Sequence, residues 1–134
     1  MTARDRHLSG LISRLFGRGR PDPHEVTAAV TGALSRVPGV GTTRVAYNHL
    51  QYGAGALSGL VDLEAAEDFD DALRATYAAL VDVLGEHADR VVVYLSGRGP
   101  DGAAVTAESL GLPAQPTGRD LARRYASAPP DRPS

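Results

Sequence analysis

The chain has 134 residues with no cysteine and no tryptophan, and its net charge is −2. This length suits one domain with a single core, and the lack of cysteine excludes disulfides, thiol nucleophiles and thiolate metal sites. No stretch reaches the ~18–20 apolar residues that a membrane span needs, so we expect a cytoplasmic protein that lies at most peripherally at the membrane. All 14 basic residues are arginine, which is typical of a GC-rich bacterial genome.

The two ends of the chain differ in charge from its middle. Residues 1–20 carry five arginines against one aspartate, whereas residues 21–117 carry five arginines against thirteen acids. An acidic body argues against nucleic-acid binding. We therefore divide the chain into a basic arm with a linker (1–20), a folded domain (21–126) and a disordered tail (127–134).

The basic arm has apolar residues at helical spacing, with arginines mainly on the other side. This pattern predicts a short amphipathic helix over residues 4–17. Such an arm can bind a membrane surface or a groove in a protein partner, fray into solvent, or pack on its own domain, and the sequence leaves these alternatives open. The residues assigned to a partner or anchor arm are Leu8, Leu11, Ile12, Arg14, Leu15, Phe16 and Arg18.

The folded domain begins with a strong helix signal. Asp22, Pro23 and Glu25 have the spacing of a capping box with proline at the first helical position, and Pro38-Gly39 ends the apolar stripe. Alternation then predicts a half-exposed strand around residues 43–48. A second strand follows over residues 57–63, in which Gly59 suggests a bulge or close packing.

The central stretch, residues 68–96, combines the clearest helix with the most strand-like run. The helix has an apolar stripe, a cap at Asp68 and a terminating Gly85. A four-residue link leads to the β-branched run 91–95, which predicts a buried strand. The stripe consists of Phe69, Leu73, Thr76, Tyr77, Leu80 and Leu84.

The sequence of the last third of the domain predicts a turn, a short strand and a short helix. Residues 97–102 are dense in turn formers, and residues 103–106 suit a short returning strand. Thr117 and Asp120 predict a helix cap. In the helix that follows, Leu121 and Tyr125 should face inward, whereas Arg123 and Arg124 should face water.

This order predicts an α+β domain with a ferredoxin-like αββαβ core, an antiparallel sheet with helices on one face, and an extra C-terminal short strand and helix. The segment Val37-Pro38-Gly39-Val40, followed by Arg44-Val45-Ala46-Tyr47, resembles heavy-metal-associated domains and the cytoplasmic domains of cation-efflux transporters. The resemblance implies their fold. The Cys-x-x-Cys of the metal carriers is absent, as is a matching set of histidine and aspartate, so we expect no metal and no cofactor.

Three clusters contain side chains capable of chemistry. Residues 97–102 form a glycine-rich loop, but they lack the spacing of a phosphate-binding loop, so a hairpin turn is expected. An acidic cluster suits solvated helix-capping positions better than a divalent metal. The third cluster is a ligand or interface set, Tyr47, His49 and Tyr94, which would share a sheet face if the first and third strands were adjacent. The acidic cluster consists of Asp62, Glu64, Glu67, Asp68, Asp70 and Asp71.

No catalytic residue emerges from these clusters, since no nucleophile accompanies His49. The sequence therefore favours a non-enzymatic interaction or regulatory domain of a bacterial cytoplasmic protein. It would act as an adaptor through protein–protein contacts, with its basic arm, and as a homodimer with Tyr47 and Tyr94 near the contact. The alternative is a small-molecule-binding or enzymatic dimer with its site on the open face of the sheet near Tyr47, His49 and Tyr94.

Overall fold

The computed structural model describes residues 22–49 and 55–126. The predictions for the arm (1–20) and for the tail (127–134) lie outside the described residues. In chain order the elements are α1 (Pro23–Ser35), β1 (Val40–Asn48), β2 (Ala56–Leu63), α2 (Asp68–Leu84), a 3-10 helix (Gly85–Arg90), β3 (Val92–Arg98), β4 (Ala104–Val105), a second 3-10 helix (Ala107–Leu110) and α3 (Gly118–Tyr125).

Helix α1 begins at the predicted capping box. The Asp22 carboxylate accepts a hydrogen bond from the His24 backbone N–H at 2.9 Å, and Glu25 accepts one from the Asp22 N–H at 3.2 Å. These bonds satisfy backbone donors that the first turn leaves without helical partners. One side of the helix then buries Val26 and Val30 completely, so this face packs into the core.

Over residues 22–49 and 55–126 the protein is an α+β domain with three α-helices and a four-stranded mixed sheet of order β1-β2-β3-β4. Strands β1 and β2 are antiparallel, as are β3 and β4, but β2 and β3 are parallel. The expectation of a purely antiparallel sheet is therefore wrong for the central pair. Because α2 carries the chain back to the starting end of β2, β3 runs in the same direction as its neighbour.

Helix α2 is the central element of the core. Its stripe is buried as predicted except at Tyr77, which is half-buried. The predicted cap at Asp68 is wrong: Glu67 occupies the cap position without a side-chain bond, and the Asp68 carboxylate accepts a hydrogen bond from the Ala65 N–H at 3.1 Å. After Leu84 the six-residue 3-10 helix replaces the expected four-residue link.

Helix α3 closes the domain beside α2. The predicted capping box is present, since the Thr117 hydroxyl accepts from the Asp120 N–H and the Asp120 carboxylate accepts from the Thr117 N–H. Leu121 is fully buried. Gly118 lies so close to the Ala88 carbonyl that a side chain there would overlap it, which requires glycine at the helix start.

The two faces of the sheet are different. On the covered face, Leu57, Val61 and Val93 lie almost completely buried under the helices. The side chains of alternate residues point the other way, and no described helix packs on them. We call this second surface the open face; it consists of Arg44, Ala46, Ser58, Leu60, Asp62, Val92, Tyr94, Ser96 and Arg98, all of which are half-buried or exposed.

Candidate functional site

The open face is arranged in cross-strand rows. Ser58 on the central strand β2 lies opposite both Ala46 of β1 and Tyr94 of β3. In the next row Leu60 lies between Arg44 and Ser96. Two large side chains, Leu60 and Tyr94, thus lie in neighbouring rows beside the small residues Ala46, Ser58 and Ser96, and Arg44 flanks Leu60.

A solvated ion pair marks one end of the open face. Arg98 Nε donates to Asp62 Oδ1 at 3.0 Å, and Arg98 Nη2 lies 3.0 Å from the same oxygen. The two side chains are 52% and 41% exposed, so water screens the pair. Together with Arg44 it makes this end polar and gives the rim both signs of charge.

The predicted set of Tyr47, His49 and Tyr94 does not meet at one point. Strand β2 lies between β1 and β3, so the first and third strands are not adjacent. Tyr47 is paired with Leu57 on the covered face, where its ring packs against the core and over Gly55. Tyr94 is on the open face, and His49 lies in the turn after β1. The two tyrosines are therefore on opposite faces of the sheet.

Sequence reasoning missed a clasp between α2 and α3. The Asp70 carboxylate accepts a hydrogen bond from Arg124 Nε at 3.0 Å and another from the Tyr125 hydroxyl at 2.7 Å. Arg124 also donates to the Leu110 carbonyl at 3.1 Å. The expectation that Arg124 faces water is therefore wrong, because its guanidinium links three separate segments and is only 32% exposed.

The clasp also shifts the ionisation of its members. The hydrogen bond from Arg124 holds the pKa of the Asp70 carboxyl below its usual range, although partial burial acts in the opposite direction. Burial, with the neighbouring Asp70 carboxylate, raises the pKa of the Tyr125 phenol. The guanidiniums of Arg74 and Arg124 lie 5.5 and 5.6 Å from the centre of the Tyr125 ring, a favourable cation–π distance. These contacts fasten the C-terminal helix.

The acidic cluster is dispersed among separate partners. Asp62 pairs with Arg98, Asp70 with Arg124, and Asp71 with Arg74. Within residues 22–49 and 55–126, no group of three or more histidine, aspartate or glutamate side chains is placed to hold a metal ion. The cluster acts instead through individual ion pairs and hydrogen bonds.

The glycine-rich segment forms the tip of the β3–β4 hairpin. Gly99 donates to the Ala103 carbonyl at 2.9 Å, and Gly102 donates to the Gly99 carbonyl at 2.9 Å. The Asp101 carboxylate accepts from the Ala103 N–H at 3.0 Å. These backbone donors are used within the turn, so they are not directed at a phosphate.

A surface depression lies where the 3-10 helix after α2 meets the start of α3. Its lining mixes both signs of charge, and the Thr117 cap already serves the first turn of α3. The lining consists of Glu86, His87, Asp89, Arg90, Thr117 and Arg119.

Comparison of the chain with protein-family models, curated proteins and solved structures gave no match. The candidate site therefore depends on the geometry alone. Of the helices in the described part of the chain, none is long and apolar enough to cross a membrane. The arm residues assigned above as a partner or anchor segment lie outside the described residues.

Proposed function

We propose that this protein is a non-enzymatic interaction domain of a bacterial cytoplasmic protein, and that it contacts other protein chains through the open face. The first partner we propose is a second copy of the chain, so that the domain acts as a homodimer. The observation that carries the proposal is the asymmetry of the sheet. One face is buried under helices, whereas the other presents Leu60 and Tyr94 without a described helix on them.

The composition of the open face suits a protein surface. Interfaces are commonly anchored by aromatic and large apolar side chains inside a polar rim. Leu60 and Tyr94 provide such anchors, and Ala46, Ser58 and Ser96 beside them are small enough for a second sheet to approach closely. The rim carries Arg44 beside the Asp62–Arg98 pair, so one copy offers both signs of charge to another.

A small-molecule site is supported less well. That alternative uses Tyr47, His49 and Tyr94 together, but the register of the strands puts the two tyrosines on opposite faces of the sheet. Ligand sites usually bring a few polar groups together in one pocket, and these three side chains do not converge. The open face therefore supports a protein partner better than a small molecule.

We also propose that the fold derives from the ferredoxin-like arrangement by loss of its first strand. In that arrangement the βαβ unit is split by a strand that lies between its two parallel strands. Here β2 and β3 pair directly and in parallel across α2, which is the geometry expected if the intervening strand were removed. The direct pairing also leaves no vacant position in the middle of the sheet.

The proposal can be tested by sedimentation velocity of the full chain from about 1 to about 200 µM, the range of weak interfaces. We expect a reversible dimer in the wild type. Leu60→Asp places a charge among the anchors and should raise the dissociation constant roughly tenfold or more. The matched control is Val81→Asp, because Val81 is 39% exposed on α2, on the helical side of the sheet.

The control variant should dimerise like the wild type. A monomeric wild type throughout this range would contradict the homodimer. Equal weakening by Leu60→Asp and Val81→Asp would contradict the assignment to the open face. Thermal melting of both variants checks that they are folded.

A further inference from the structure

The two edges of the sheet differ in how the described backbone covers them. Beyond β3, strand β4 pairs with the last two residues of that strand. Near the start of β3, the Val93 N–H donates to the Pro116 carbonyl at 2.8 Å, and the Gly118 N–H donates to the Val91 carbonyl at 2.9 Å. Short segments from the end of the domain therefore cover this edge at both of its ends.

The opposite edge is the outer side of β1. This strand has nine residues, and in the described part of the chain β2 is the only strand that pairs with it. The register with β2 shifts between Val40 and Thr43, is regular from Thr43 to Asn48, and contains no proline. Because successive residues direct their backbone groups to alternate sides of a strand, the regular stretch also presents donors and acceptors away from β2. Such an edge can accept a further strand.

The charge on this stretch specifies the kind of strand that fits. Arg44 is its only charged residue, it is exposed, and it belongs to none of the ion pairs in the described part of the chain. A charged residue on an edge strand disfavours a like charge opposite it and favours the opposite charge. Two copies of β1 would bring two arginines into one short ladder, so an acidic strand fits better than a second copy.

The covered side of the same stretch favours apolar residues in the added strand. Val45 lies opposite Gly59 of β2, which in turn lies opposite Leu95 of β3. The Val45 and Leu95 side chains fill the space over Gly59, and Val45 is half-buried at the margin of the core. An apolar side chain placed beside Val45 would continue this row and bury more of that margin.

We propose that the outer edge of β1 binds an extended segment of a partner protein. In that segment apolar residues alternate with polar ones, and a glutamate or aspartate lies across from Arg44. Backbone hydrogen bonds provide the affinity, and the pair with Arg44 provides the selectivity. The site is distinct from the dimer contact proposed above, which is anchored by Leu60 and Tyr94, so it does not depend on self-association.

Fluorescence anisotropy of a labelled nine-residue peptide, titrated with the full chain, tests this inference. The probe has valine at alternate positions, threonine between them and glutamate at the centre. We expect a dissociation constant between about 10 and about 500 µM. A peptide with N-methyl groups on its three central residues loses backbone donors on both edges and should bind at least about tenfold more weakly. Equal binding of these two peptides, or no binding of the first up to about 1 mM, would overturn the inference.

A charge exchange tests the role of Arg44. The wild type should prefer the glutamate peptide to one with lysine at the centre by about two- to fivefold, and Arg44→Glu should reverse this preference. The matched control is Arg90→Glu, since Arg90 is also exposed and outside the described ion pairs but lies in the 3-10 helix after α2. The same preference in all three proteins, or an equal change in both variants, would overturn the assignment to Arg44.

Amide hydrogen exchange locates the bound peptide. We expect slower exchange of outward-facing amides between Thr43 and Asn48, and unchanged exchange of Gly102 at the tip of the β3–β4 hairpin. Protection at the hairpin instead, or protection of β1 that increases with protein concentration in the absence of peptide, would overturn the proposal, the second by assigning the edge to another copy. Leu60→Asp should bind the peptide like the wild type, so failure of the open-face dimer is distinguishable from failure of this site.

Discussion

The covered and open faces are formed by the same three strands, but different forces act on them. On the covered face, β2 and β3 contribute Leu57, Val61 and Val93, which exclude water almost completely. On the open face the neighbouring positions hold Ser58, Leu60 and Tyr94 in partial contact with water. Because side chains alternate between the two faces of a strand, one set of residues stabilises the core and the other set is available for binding.

An aspartate–arginine pair on each side sharpens the contrast. The helical side has the pair Asp70–Arg124, and the open face has the pair Asp62–Arg98. In each pair a carboxylate oxygen lies 3.0 Å from the arginine Nε. The two pairs differ in exposure and in further hydrogen bonds. In the helical pair each side chain is 32% exposed, and Asp70 also accepts a hydrogen bond from the Tyr125 hydroxyl. Equal distances therefore do not imply equal contributions to stability.

The largest expected effect is the loss of core volume under the helices. Leu80 is fully buried on α2, and Leu80→Ala should lower the free energy of unfolding by about 2–5 kcal/mol. Leu60→Ala is the matched change on the open face, and it should cost clearly less because Leu60 is only partly buried. Urea unfolding of both variants measures the difference, and equal losses would show that the faces are not distinct.

Removal of the Tyr125 hydroxyl tests the clasp. Tyr125→Phe keeps the ring near Arg74 and Arg124 but deletes the 2.7 Å hydrogen bond to the Asp70 carboxylate. A hydrogen bond to a charged group contributes about 1.5 kcal/mol at the lower end of its range, and we expect a loss of that size in urea unfolding. Tyr77→Phe is the control, since the Tyr77 ring packs against the Tyr125 ring and the Tyr77 hydroxyl makes no hydrogen bond to another described residue. An unchanged midpoint for Tyr125→Phe would mean that the bond does not stabilise α3.

The acid limb of the stability curve tests the Asp70 carboxylate. Its pKa is lowered in the folded state, so its contribution is complete above the ordinary value near 3.8 and is lost as the pH falls through the folded pKa. Asp70→Asn should therefore be less stable than the wild type at pH 7, with a difference that narrows below about pH 4. Thermal melts from pH 7 to about pH 3 follow this difference. A constant gap would show that the charge of Asp70 is irrelevant.

The smallest effect should come from the open-face ion pair. Arg98→Ala removes a pair whose members are both about half exposed, and the expected cost is about 0–1 kcal/mol. The same change should matter more for self-association than for stability if this end of the face meets a partner. Urea unfolding of Arg98→Ala measures its effect on stability, and sedimentation velocity measures its effect on self-association. A loss of stability as large as that of Tyr125→Phe would contradict the expectation that the exposed pair contributes less.

Local patterns made much of the fold predictable. The capping boxes at Asp22 and Thr117 involve residues three apart, and the alternation in β2 fixes which side chains are buried, so both follow from short segments. The parallel pairing of β2 and β3 was not predictable in this way. The same order of elements permits a sheet with another strand between them, and only non-local packing decides between these sheets.

The candidate site was predictable in part. In the strand predicted over residues 57–63, period-two alternation puts Ser58, Leu60 and Asp62 on one face, and these residues form the centre of the open face. The placement of Tyr47 relative to Tyr94 depends on strand order, which no local pattern encodes. The clasp joins Asp70 to Arg124 across 54 residues, and an arginine in the last turn of a short helix gives no local sign of a distant partner.

Direct pairing of β2 with β3 has a consequence for the order in which the protein folds during synthesis. Each pair in that ladder, such as Ala56 with Val92, joins residues 36 positions apart, as does the Asp62–Arg98 bond beside it. Closing so long a segment costs entropy that α2 must offset by docking first. A nascent chain that ends before β3 therefore leaves an edge of β2 unpaired next to an unfinished core. Chains with an unpaired strand edge and an incomplete core are prone to aggregate. Pairing of β3 with β2, late in synthesis, therefore lowers the tendency of the earlier part of the chain to aggregate.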